Sequence, residues 1–227
     1  MGTSPSPSAV KTRRPLSGFE WGMIGLVLAS WVVIGLKVLG DRYGISLSPA
    51  TWYLVRASGI AMYLLLWFSF VLGLGLATGT PKGERRLTTT MLHGFAMSLA
   101  FGFLVLHILS LMADPFVEFG LRQVAVPFAA TGAEPWIGFG VIAAWIMVII
   151  AASVGMKSRI GHKAWKALHW LTYPLFVLML LHGLFAGSDS GTWWGRGMYV
   201  ITGSVAIGLV VYRTVGGSRR QRAAGHA

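Results

Sequence analysis

Long apolar runs separated by short charged clusters organise this chain. Six of them, residues 19–40, 52–77, 87–113, 136–156, 164–186 and 197–215, are close to the roughly 20 residues a helix needs to cross a hydrocarbon layer about 30 Å thick. None alternates with period two, and an open sheet in lipid would leave its backbone unsatisfied, so helices are expected throughout. The pattern predicts an all-α fold: a polytopic membrane protein built as a six-transmembrane-helix bundle over residues 19–215. Residues 1–18 are rich in Pro and Ser and are expected to form a disordered basic segment; 216–227 are expected to be a basic tail. The connection 114–135 is long and holds Phe116, Val117, Phe119, Leu121 and Phe128, so it is expected to cap the outer surface.

Composition agrees with this pattern. Of 227 residues, 55% are hydrophobic and only 11% charged, against roughly a quarter charged in a soluble domain. Cysteine is absent, which excludes disulfides, iron–sulfur ligation, a Cys-type zinc site and CxxCH haem attachment. Gly73, Gly75 and Gly79 sit in or just after an apolar run, so they do not form a dinucleotide fingerprint. The six helices leave no room for a flavin or NAD(P)H domain.

The basic residues fall unevenly on the two sides of the bundle. Lys11, Arg13 and Arg14, then Lys82, Arg85 and Arg86, then Lys157, Arg159, Lys163 and Lys166, and finally Arg213, Arg219, Arg220 and Arg222 lie on one side. Only Lys37, Arg42, Arg122 and Arg196 lie on the other. Loops rich in Lys and Arg stay in the cytoplasm, so both termini are expected there, in a plasma membrane of bacterial type. The net charge of +12 is then matched by anionic lipid, with no role for nucleic acid.

Four of the six histidines lie inside apolar runs: His93 and His107 in the third, His169 and His182 in the fifth. Ionisable groups at such positions are costly and point to function. His93 and His107 are 14 residues apart, so at 100° per residue they share a face and stand about 21 Å apart along the axis. His169 and His182 are 13 residues apart, about 19.5 Å on the same rise. The third and fifth helices run parallel, which sets His93 level with His169 near the inner face and His107 level with His182 near the outer face. Paired imidazoles from two helices suit a haem with one His on each iron face, whereas a hydrolytic zinc site would lack its third ligand. One mismatch stands out: 13 residues miss a whole number of turns by about 140° on an ideal helix. Pro174, between the two histidines, is positioned to kink or unwind the chain there.

With these residues in view, the chain resembles the ferric reductase-like transmembrane domain family, which includes ferric reductases, NADPH oxidases and the haem subunit of the periplasmic methionine sulfoxide reductase system. The resemblance rests on the 14 and 13 spacings in the third and fifth of six helices. It also rests on WKALHWLTY (residues 165–173), similar to the family's Trp-x-x-Leu-His-x-x-x-Tyr stretch, and on Arg56 within RASGIAMYLLL. It covers roughly residues 52–215. Membership would imply two bis-histidine b-type haems, with His93, His169, His107 and His182 as iron ligands, carrying electrons through the membrane.

On that expectation the chain is an oxidoreductase membrane subunit rather than a complete enzyme. Its donor would be a cytoplasmic flavoprotein, with the flavin on that partner, or a membrane quinol. Its acceptor would be ferric ion, oxygen or a periplasmic redox protein. Arg56, near the outer pair, could pair with a haem propionate or snorkel to headgroups. Lys163 and His162, at the inner start of the fifth helix, could meet inner propionates, a docked donor, or only solvent. Phe176, between the fifth-helix histidines, could bridge the haem edges or simply pack. The rival is a six-helix transporter or channel whose histidines pass a metal or protons; it would be expected to show polar, broken half-helices at mid-membrane. Instead the interval is largely apolar, with Ser98 and Thr172 as modest exceptions.

Overall fold

The computed structural model describes residues 18–44, 48–117, 119–132 and 135–224, without the side chains of 18–27, 29, 41, 48, 49 and 216–224. The expectation for residues 1–17 and the end of the expected basic tail, 225–227, lie outside the described residues. The described chain forms helices α1 (Gly18–Tyr43), α2 (Ser48–Thr78), α3 (Gly83–Ala113), α4 (Leu121–Ala125), α5 (Trp136–Gly155), α6 (Lys157–His169), α7 (Thr172–Ala186) and α8 (Trp193–Ala224). A short 3-10 turn, Ser188–Gly191, precedes α8, and no strand occurs among the described residues.

Four segments are long and apolar enough to cross a membrane: Ala50–Thr78, Gly83–Ala113, Trp136–Gly155 and Trp193–Val215. Helices α6 and α7, bent by 43°, make a fifth when taken as one broken span. Within α1, Ser30–Gly40 is apolar but short by itself. Large apolar side chains such as Leu36, Leu64, Phe68, Ile149, Val177 and Ile201 face outward. Helices apolar on every side belong in lipid, and a multi-pass membrane protein is the consistent reading.

Helix α3 lies along α2 for much of its length and also meets α1; α5 pairs with α7, while α8 rests on α2 and α7. Of the helices that bear the four histidines, α3 is backed by α2, while α6, which ends in His169, and α7, which carries His182, both pack on α5. At mid-bundle Met62, Leu66, Ala100, Leu104, Met147, Leu175, Phe176 and Met179 form one buried cluster. A polar clasp crosses this region as well: Tyr63 and Thr202 share a 2.6 Å hydrogen bond, and Trp67 donates to the Thr202 carbonyl at 3.1 Å.

The fifth apolar run is not one helix. It breaks at Trp170 and Leu171, where ψ falls to −19° and −12°. Pro174 is the cause: it has no N–H to give the Trp170 carbonyl four residues earlier, and that carbonyl instead takes Tyr173 N–H at 3.2 Å. The break lets α6 and α7 aim their histidines independently, which removes the angular mismatch of a straight helix. Within α6, Gly161 adopts φ 79°, ψ 163°, a conformation open to glycine alone, so the helix is jointed there too.

Candidate histidine-pair centre

The four intramembrane histidines come together as two pairs. At one end of the bundle the rings of His93 and His169 lie 6.1 Å apart between centroids, at 76° to each other. At the other end His107 and His182 line one half-open cavity. Its other walls are apolar, including Met62, Leu104, Ile108, Leu111, Val141 and Met179.

Three of the four rings are held in the same way. His107 Nδ1 lies 2.9 Å from the Val55 carbonyl, His182 Nδ1 3.0 Å from the Trp136 carbonyl, and His93 Nδ1 2.8 Å from the Ser69 carbonyl. A carbonyl can only accept, so each Nδ1 carries the proton and each Nε2 is left with a free lone pair. Ser69 Oγ adds a contact to His93 Nδ1 at 2.9 Å. His169 differs. Its Nδ1 is buried without a hydrogen-bond partner, and its ring stacks on Trp165 at 5.2 Å and 22°. Trp165 Nε1 is likewise buried and unpartnered, and the Lys157 ammonium sits 3.9 Å from the Trp165 ring centre.

The segment 114–135 folds over the His107/His182 cavity, where Phe119 and Val124 form part of the wall. It is anchored by Trp145, whose indole donates to the Ala125 carbonyl at 2.8 Å. Phe128, at φ 63°, packs over Gly138 and edge-on to Phe139. Asp114 starts the segment as a buried carboxylate, accepting from Thr51 at 2.8 Å and from the Phe116 N–H at 2.9 Å.

Arg56 stands next to Val55 and so lies level with His107, but its guanidinium is turned to Asp189 in the turn before α8. Nε donates to Oδ2 at 2.9 Å and a second nitrogen meets Oδ1, a two-point grip on a carboxylate that is 7% exposed. Phe176 is buried at mid-bundle, stacked on Phe70 at 4.9 Å and on Tyr63 at 6.2 Å. With Tyr173 and Tyr199 at the two ends, these rings fill the interval between the histidine levels. Lys163 and His162 are exposed on α6, His162 tilted against Trp165 at 5.3 Å. The structure gathers neither into a histidine pair.

Sequence reasoning did not single out Asp189, Ser69, Gly59 or Gly140; it used Trp165 only as a motif position and weighed Gly73 only against a dinucleotide fingerprint. Asp189 lies 133 residues from Arg56, and no local pattern links them. The glycines did carry a signal. Gly59 and Gly73 repeat on α2 the 14-residue interval of His93 and His107 on α3. Gly59 faces His107 and Gly73 faces His93.

The donor set tests what the centre could hold. Among the described residues no group of three or more His, Asp, Glu or Cys side chains converges on a point. A porphyrin would supply the remaining donors itself, so two imidazoles at a level would be enough to hold it. His93 and His169 at one level, and His107 and His182 at the other, each bring two imidazoles together. The residues fit that group. By fold and site, the class is a helical membrane bundle with two internal histidine pairs. Comparison with known protein families, characterised proteins and solved structures finds no match to this chain.

Proposed function

We propose that this protein is a di-haem b electron-transfer subunit of a membrane oxidoreductase, with His93/His169 holding one haem and His107/His182 the other. One observation carries the reading: intramembrane histidines occur as two level pairs, and three of the four rings turn Nδ1–H to a backbone carbonyl. A metal-ligating histidine needs that support, since the second hydrogen bond fixes tautomer and ring plane and raises the basicity of the ligating nitrogen. Bound haem supplies reversible one-electron chemistry at iron.

The chain's own residues do the rest. The apolar wall of the outer cavity and the 114–135 segment keep water from the His107/His182 level. Phe70, Phe176 and Tyr63 keep the interval between levels packed and dry, and they place a stacked π-system along it. In this reading α1 completes six spans, and the basic loops hold both termini in the cytoplasm. The resemblance to the ferric reductase-like family then supplies the partners: a cytoplasmic flavoprotein or membrane quinol as donor, and ferric ion, oxygen or a periplasmic redox protein as acceptor.

A pyridine haemochrome assay on the purified protein tests the proposal. The expected outcome is two b-type haems per chain, both low-spin. A colourless preparation from haem-replete cells overturns it.

A further inference from the structure

The three carbonyls that receive a histidine share a sequence feature. Val55 is followed four residues later by Gly59, Ser69 by Gly73, and Trp136 by Gly140. In each case that glycine lies under the same histidine ring. A Cβ added at Gly59 would sit 3.2 Å from His107 Cε1 and Nδ1; at Gly73, 3.2 Å from His93 Cε1; at Gly140, 2.6 Å from His182 Nδ1. The coincidence has a geometric cause. Helical side chains lean toward the N-terminus, so the group at position i+4 covers the turn that ends in the carbonyl of residue i. That carbonyl already accepts one bond within the helix and keeps a second lone pair. A neighbouring helix can reach the second lone pair only where no Cβ stands in the way.

We infer that Gly59, Gly73 and Gly140 are positioning residues: each bares one helix carbonyl so that a histidine of the facing helix can lock its Nδ1–H onto it and present Nε2. Plain helix-to-helix packing would scatter glycines along the interface without tying them to these carbonyls. Gly75 on α2 and Gly155 on α5 have open space where a Cβ would go, and neither lies beneath a histidine. His169 lacks the device, and its Nδ1 is the one left without a partner. The locking of the ring is independent of what Nε2 binds; its use in presenting an iron ligand rests on the haem reading.

The test uses the purified full-length protein with ¹⁵N-labelled histidine, in its reduced form, reading the imidazole Nδ1–H resonances and their exchange with deuterium. The wild type is expected to show slowly exchanging Nδ1–H signals from His93, His107 and His182. Gly140→Ala should release or shift the His182 signal alone, and Gly59→Ala and Gly73→Ala should do the same to His107 and His93. Gly155→Ala and Gly75→Ala, on the same helices, should change nothing. Where haem is bound, each effective variant should also release haem from its own level roughly 10–100-fold faster, the usual consequence of losing such a support. If Gly140→Ala fails to fold, Gly59→Ala and Gly73→Ala, with their milder approach, decide the matter. An absent Nδ1–H on the wild-type rings, unchanged exchange in the glycine variants, or equal effects from the two control variants would each overturn the inference. Protein without haem but with the expected resonances would leave it standing and remove the haem reading alone.

Discussion

In the proposed topology the outer histidine level is a half-open cavity and the inner one a joint. His107 and His182 are each pinned by a carbonyl from a separate backing helix, and the 114–135 segment covers their cavity. At the inner level His93 is pinned through both the Ser69 carbonyl and hydroxyl, while His169 sits at the end of α6, beside the break before Pro174. His169 is oriented by stacking on Trp165 rather than by a hydrogen bond. Stacking tolerates sliding and rotation, whereas a hydrogen bond to a helix carbonyl fixes both direction and protonation. The same pair of residue types thus yields one preorganised site and one adaptable site. The adaptable one lies beside the jointed, strongly basic α6, on the side where a cytoplasmic donor would dock in the proposed topology.

The largest effect should come from breaking one level at a time. His107→Ala and His182→Ala are each expected to remove the same one of two spectral components and about half of the bound haem, while His93→Ala and His169→Ala remove the other, read by potential-resolved absorption spectra. Loss of one common component from His93→Ala and His182→Ala would break the assignment of levels. A smaller effect separates the intact sites. With an excess of haem-free globin as acceptor, the inner haem should leave roughly tenfold faster than the outer, because His169 lacks the support its three counterparts have. Equal release rates would mean that Trp165 holds His169 as firmly as a carbonyl would.

The smallest effect sharpens the contrast from the outer side. Arg56→Ala should lower the outer midpoint potential and leave the inner one unchanged, since it removes a cation and strands the Asp189 carboxylate at that level. Asp189→Asn should shift the outer potential the opposite way. Stranding a buried acceptor should also cost Arg56→Ala about 1–3 kcal/mol of stability, read as a lower thermal midpoint in detergent. Equal shifts at both haems would show that Arg56 acts on the whole bundle rather than on one level.

The helical class and the grouping of the histidines into two levels were legible in the chain, because each depends on a regular rise and turn within a helix; of the six expected spans, four or five are long and apolar enough among the described residues. A continuous helix over 164–186 is not what forms, and Pro174 had marked the place: a missing N–H acts one turn upstream, at Trp170, rather than at the proline itself. The covering role of 114–135 was visible in its length and aromatic content. Its anchorage by Trp145 and its turn at Phe128 were not, since both depend on α5 standing beside it.

The sequence by itself determined that apolar helices dominate the molecule and that four imidazoles lie within them at two depths, because hydropathy and the 3.6-residue turn are local properties. Which nitrogen is free on His93, His107 and His182 was decided only in three dimensions. So were the pairing of Arg56 with Asp189 rather than with solvent, and the stacking of Phe176 between Phe70 and Tyr63. Each of these depends on the lateral register of helices that are distant in the chain. That register matters over Gly59, Gly73 and Gly140, where a histidine ring lies against the helix and a side-chain nitrogen a few ångströms out of register would meet a methylene instead of a carbonyl.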